Sequence, residues 1–140
     1  MMNKGIKTRL IIHEILCEIK KNNINFDSQT IQNKINIFSE KDRSFINNVC
    51  LNSMRRYFFV KKIINKYLRK ESNFSQEILL LSAVTQIVFL KFKEYAVIDC
   101  SVSLAKKIRV NPGLINATLK NINRDKFITL SLKKISNYSR

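Results

Sequence analysis

The chain holds a single histidine, His13. A histidine-based metal cluster is therefore excluded, and a Ser-His-Asp site would rest on one residue. His13 falls near Arg9 and Lys20 on the first helical segment, off its apolar stripe, and is expected to be a solvated surface side chain. Glu14 and Glu18 stand four apart, but paired carboxylates do acid–base work only inside a cleft. Lys21, three residues beyond Glu18, predicts a solvated ion pair instead. Asp42 and Asp99 are single acids expected at helix starts, where the helix dipole favours negative charge. Cys17, Cys50 and Cys100 are odd in number and widely spaced, with no C-x-x-C. This pattern argues against a disulfide framework or a zinc site and suits buried thiols in a reducing cytosol. Gly5 and Gly113 are the only glycines, too few for a phosphate-cradling loop. No catalytic constellation emerges, so a non-enzymatic, cytoplasmic protein without cofactor or metal is expected.

The charged residues carry more information. Lys and Arg number 26 against 10 Asp and Glu, a net charge of +16 in 140 residues. A charge this far from zero costs self-repulsion unless a polyanion neutralises it. The charge is clustered. Between Arg43 and Lys70 lie Arg43, Arg55, Arg56, Lys61, Lys62, Lys66, Arg69 and Lys70, with no acid. A second run holds Lys106, Lys107, Arg109, Lys120, Arg124, Lys126, Lys133, Lys134 and Arg140, with Asp125 the one acid after Asp99. Lys62, Lys66 and Arg69/Lys70 recur at helical spacing opposite Ile63, Ile64, Tyr67 and Leu68, which predicts a cationic ridge on a helix's outer face. Tyr57, Phe58 and Phe59 follow Arg55-Arg56 directly. Phe58, by spacing, is assigned to the core; Tyr57 or Phe59 is the candidate for stacking on single-stranded RNA.

These residues need elements to hold them. With one proline and two glycines, little punctuates strands, and the periodicity predicts an all-α chain of about seven helices. The first runs from about Ile6 to Lys21, and a second is capped by Asp27 or Ser28. Ser39 with Asp42 resembles a capping box and opens a third. Its pattern continues to Leu68, too long for one helix, so a break is expected near Arg56–Phe59. Ser75 can cap a buried helix over about 76–92. Its apolar run, Ile78 to Leu90, holds Ser82, Thr85 and Gln86 and is too short to span a bilayer; no membrane role is expected. A helix over about 97–109 follows, and Asn111-Pro112 signals the start of another. A single domain over 1–140 is expected, with sub-bundles of about 1–70 and 75–140.

Four stretches, in order, carry a resemblance. TRLIIHEIL (8–16) is similar to an opening helix of the form R-x-x-A-x-x-x-L. EKDRSFINNVCLNSMRR (40–56) is similar to a DRxF…L…G.LR segment. ILLLSAVTQIVFLKFKEYAVIDCSVSLAKK (78–107) and PGLINATLKNI (112–122) are similar to the segments that close the same pattern, the second ending like "gfvNAvLR.i". The pattern is that of the NusB family, and more closely of the NusB-like N-terminal domain of RsmB-type (Sun/Fmu) rRNA cytosine-5 methyltransferases. The resemblance implies two small helical bundles joined at an angle, and RNA as the polyanion. NusB proteins bind a short single-stranded leader RNA with the ribosomal protein NusE in antitermination and rRNA transcription. In RsmB-type enzymes the domain helps hold rRNA for a separate catalytic domain, whose cofactor loop and Pro-Cys motif are not among these residues. The expected RNA contacts are Lys4, Lys7 and Arg9 on the first helix, Arg55 and Arg56, the ridge of Lys61, Lys62, Lys66, Arg69 and Lys70, and Lys120 and Arg124. NusB's arginine-rich N-terminal segment is thinned here, and Gly113-Leu114 stands where NusB has a Lys-Phe pair. Asn116 matches the family asparagine, as a structural hydrogen bond or as an RNA contact. Gln86 is expected to make a buried hydrogen bond. The alternative to RNA binding is a protein-interaction subunit that pairs with a NusE-like ribosomal protein or a separate methyltransferase domain.

Overall fold

Side-chain caps set the helix boundaries of the computed structural model, which describes residues 4–68 and 73–126. The helices are α1 (Lys4–Asn22), α2 (Gln29–Asn36), α3 (Glu40–Arg55), α4 (Tyr57–Tyr67), α5 (Phe74–Val84), α6 (Glu94–Lys107) and α7 (Pro112–Arg124). A π-helical turn, Thr85–Phe89, extends α5. The all-α expectation holds. Ser28 caps α2 by accepting from the Ile31 amide at 3.3 Å. Ser39 accepts from the Asp42 amide at 3.3 Å, and Asn111 from the Leu114 amide at 3.2 Å, with Pro112 at the first helical position. Each satisfies an amide that the first helical turn leaves without a partner.

Other boundaries differ from the expectation. Asn73, not Ser75, caps α5, accepting from the Gln76 amide at 2.7 Å. α6 begins at Glu94, so Asp99 lies in its second turn and caps nothing. The long third segment breaks at Arg56, whose backbone (φ −106°, ψ 13°) leaves the helical region. Its amide still closes α3 on the Asn52 carbonyl and its carbonyl already opens α4 with Val60.

α5 is buried all round from Ile78 to Val84, which a helix can be only at the centre of a bundle. It packs on α1, α3, α4, α6 and α7. α1 presents Ile12, Ile15 and Leu16 to the interior and lies against α3, α5 and α6. One continuous core draws side chains from all seven helices. α6 and α7, joined by a short link, pack along one another.

The π turn is the departure from regular geometry inside the core. Its first two polar side chains bond back to the preceding turn of α5. The Thr85 hydroxyl donates to the Leu81 carbonyl at 2.8 Å, and the Gln86 amide to the Ser82 carbonyl at 3.0 Å. The Leu90 amide closes the turn on the Thr85 carbonyl. Among the described residues, no helix is long and apolar enough to cross a membrane.

Candidate nucleic-acid interface

The cations of the α3–α4 corner face outward for a geometric reason. Val60, Ile63 and Ile64 are buried. At about 100° per residue they fix the inner face of α4, and positions 58, 61, 62 and 65 fall on the opposite stripe. Lys61, Lys62 and Lys66 are exposed, as is Arg55 at the end of α3. In the sequence no acid lies between Asp42 and Glu71. The outward ridge predicted from helical spacing is therefore present as far as Tyr67. Arg69 and Lys70 lie outside the described residues.

The ridge is not uniform. Lys61 is held by Glu77 at 3.5 Å, and the carboxylate holds its ammonium above the ordinary lysine range. Lys62, Lys66 and Arg55 have no such partner among the described residues. Arg56 is half-buried with its guanidinium 4.1 Å from the centre of the Phe89 ring. Burial and then the Arg55 charge lower its pKa. At the far end of α4 the Tyr67 hydroxyl donates to Asp125 Oδ2 at 2.8 Å. Arg124 grips the same carboxylate through Nε at 3.0 Å and a terminal nitrogen at 3.1 Å. These bonds hold Asp125 below the usual carboxylate range, and they place exposed Arg124 beside the end of the ridge.

The three aromatics beside the cations are arranged differently from the expectation. Tyr57 is half-buried and committed: its hydroxyl donates to Glu77 Oε1 at 3.4 Å, and Lys20 Nζ sits 3.7 Å from its ring centre. Phe59 is half-buried against Phe89, 5.7 Å between ring centres. Phe58, assigned to the core, is 78% exposed.

On α1, Lys7 is exposed beside a shallow apolar groove formed with Ile11, Ile37 and Phe38. The backbone of Lys4 opens the helix. Arg9, expected at the RNA surface, is half-buried and used internally. Its Nε donates to Gln86 Oε1 at 2.9 Å and a terminal nitrogen to the Gly5 carbonyl at 3.3 Å. The guanidinium also lies 5.0 Å from the Phe45 ring centre. Burial lowers its pKa and the Cys100 thiol opposes the shift. The buried hydrogen bond expected of Gln86 is thus present, and Arg9 is its partner.

His13 is not solvated. It is 5% exposed, with Nε2 3.2 Å from Ser75 Oγ and 3.6 Å from Cys17 Sγ. Burial drives its pKa down to about 4, so the imidazole is neutral at pH 7. Its Nδ1 has no hydrogen-bond partner among the described residues. Burial pushes the Cys17 thiol up to about 11 and the Cys50 thiol up to about 12, which keeps both protonated. Glu18 pairs with Lys34 at 3.3 Å rather than with Lys21. No group of three or more metal-ligating side chains occurs among the described residues.

A second concave surface runs between α6 and α7. It has a volume of about 570 Å³ and is lined by Glu94, Tyr95, Asp99, Asn116 and Lys120, among others. The Asn116 side chain makes no hydrogen bond among the described residues; the cap of α7 is Asn111. Sequence periodicity gave no sign of this groove, because it depends on how two helices pack.

An all-α bundle with exposed cations at one corner is the framework of a basic helical domain, and known proteins share the fold. The NusB family profile matches residues 6–124. A crystal structure of the antitermination factors NusB and NusE in complex with double-stranded RNA is similar in fold. Its TM-score is 0.77 at 20% identity, over 89% of this chain and 98% of that one. T. maritima NusB is similar with a TM-score of 0.74 at 17% identity, over 91% and 99%. No curated protein matches the sequence significantly. The chain belongs to the NusB family.

Proposed function

We propose that this chain is a non-catalytic RNA-binding protein of the antitermination type, which holds single-stranded or ribosomal RNA on its basic helical surfaces. The observation that carries the reading is the α3–α4 corner, where Arg55, Lys62 and Lys66 project from a NusB-type bundle with no partner among the described residues. Phosphate contacts of this kind supply affinity without sequence preference. Lys7, Lys120 and Arg124 extend the cationic surface on α1 and α7. Arg9 and Arg56 serve it indirectly, by fixing α1 to the π turn and the Arg56 joint to Phe89. The RNA complex among the similar structures contains a duplex, so the test carries both forms. Fluorescence anisotropy with a single-stranded rRNA-leader oligonucleotide and with duplex RNA, at low and high salt, should show tighter binding to the single strand that weakens with salt. Absence of binding at low salt would sink the reading.

The α6–α7 groove favours a second, compatible role. Glu94 and Asp99 put acids on its rim, and Tyr95 stands 69% exposed. An acidic, aromatic groove on a strongly basic protein suits a basic protein partner, and a NusE-like ribosomal protein fits that chemistry. A pull-down with and without nuclease separates direct partners from RNA-bridged ones. Pairing with a separate rRNA methyltransferase domain is the alternative, which a methyltransferase recovered after nuclease digestion would support.

A further inference from the structure

The geometry points to Phe58 as a base-stacking platform for single-stranded RNA, an assignment that rests on the RNA-binding reading above and adds a chemical specificity to it. Phe58 is the most exposed aromatic side chain among the described residues, at 78%. It occupies the outward stripe of α4 with Lys61 and Lys62, three and four residues on, and Arg55 lies three residues before it at the end of α3. Lys61 and Lys62 therefore share the ring's side of α4, and Arg55 is exposed just across the break at Arg56. Glu77, the acid that contacts this part of α4 among the described residues, is engaged by Lys61 and Tyr57.

The ring is also held. Tyr57 meets it edge-on, 5.2 Å between centres at 74°. Tyr57 is itself pinned by Glu77 and lies under Lys20. One contact of this kind steadies the ring and leaves the rest of its surface to solvent. A π-face beside exposed cations matches a single strand, which offers an unstacked base between two phosphates. A duplex keeps its bases stacked and could use only the cations. Stacking accepts any base, so Phe58 selects for strandedness rather than sequence.

The chain contains no tryptophan, so F58W supplies a lone indole reporter at the position in question. The probes are fluorescein-labelled oligouridine for anisotropy, the unlabelled oligomer for indole quenching, and a duplex RNA of the same length. F58A, at an exposed position, should keep the wild-type urea midpoint. It should bind the single strand about fivefold to a hundredfold more weakly than wild type, with its salt slope and its duplex affinity unchanged. F58W should restore the affinity, and its emission should be quenched on saturation by the single strand and not by the duplex. If wild type binds but F58A binds within about twofold of it, or the F58W indole is not quenched, the assignment is overturned while the RNA-binding reading stands. The ring then belongs to a protein contact. If wild type binds no RNA at low salt, both fall together.

Discussion

Gln86 and Arg9 show how one buried pair fixes the geometry of two helices. The guanidinium is mostly withdrawn from water and Gln86 Oε1 accepts from it at 2.9 Å. Gln86→Leu keeps the volume and removes the acceptor, leaving a buried charge with a lost bond. A loss of about 2–3 kcal/mol is expected, read as a lower urea midpoint with an unchanged m-value. His13 makes a second residue-scale prediction. Its pKa is about 4 in the folded chain and 6.5 for the free side chain. The unfolded state therefore takes up the proton first. Stability is full above about pH 6.5, falls as the pH drops toward 4, and levels off below, a difference on the order of 3 kcal/mol. H13Q should flatten that part of the urea-midpoint profile between pH 7.5 and 5; an unchanged profile would remove His13 as its cause. Gln86 could be read from the sequence because a polar side chain within an apolar run must find a partner. His13 could not, because Ser75, 62 residues away, is what covers it.

At the scale of elements, caps, the break at Arg56 and the outer face of α4 were legible, and the aromatic on that face was not. Ser39 and Asn111 cap α3 and α7 as expected because a cap is a bond between residues two or three apart. The break near Arg56 followed from length alone. The outer face of α4 was legible too, since Lys62 and Lys66 opposite Ile63 and Ile64 marked it; Phe58 was misplaced, because Val60, Ile63 and Ile64 fix the inner face and leave position 58 on the outer stripe. The C-terminus of α6 shows what a chain poor in glycine does at helix ends. Arg109 takes φ 60° where glycine is favoured, and the Val110 amide reaches back to the Ala105 carbonyl at 2.9 Å, the bond of a Schellman motif. Arg109→Gly relieves the Cβ strain at a smaller entropic cost, so a gain of about 0.5–1 kcal/mol is expected. Thermal denaturation checks it: an unchanged or lowered midpoint would mean that Arg109 makes a compensating contact.

For the whole molecule, the +16 balance pointed to a polyanion but could not say which cations reach it. The fold divides them. Arg9 and Arg56 are drawn inward, Lys61 is tied to Glu77, and Arg55, Lys62 and Lys66 stand exposed on one corner with no ion pair among the described residues. That division depends on which helices pack together, and no charge count contains it. The α6–α7 groove was invisible to the sequence for the same reason. The central claim is that this corner neutralises RNA phosphates, and the most direct test is the salt dependence of single-stranded RNA binding for wild type and for K62A/K66A. Each phosphate neutralised contributes about −0.7 to the slope of log affinity against log salt. The double variant should bind more weakly and lose about 1.4 from that slope, with its urea midpoint unchanged. A slope equal to that of wild type, in a variant that is equally well folded, would contradict the account.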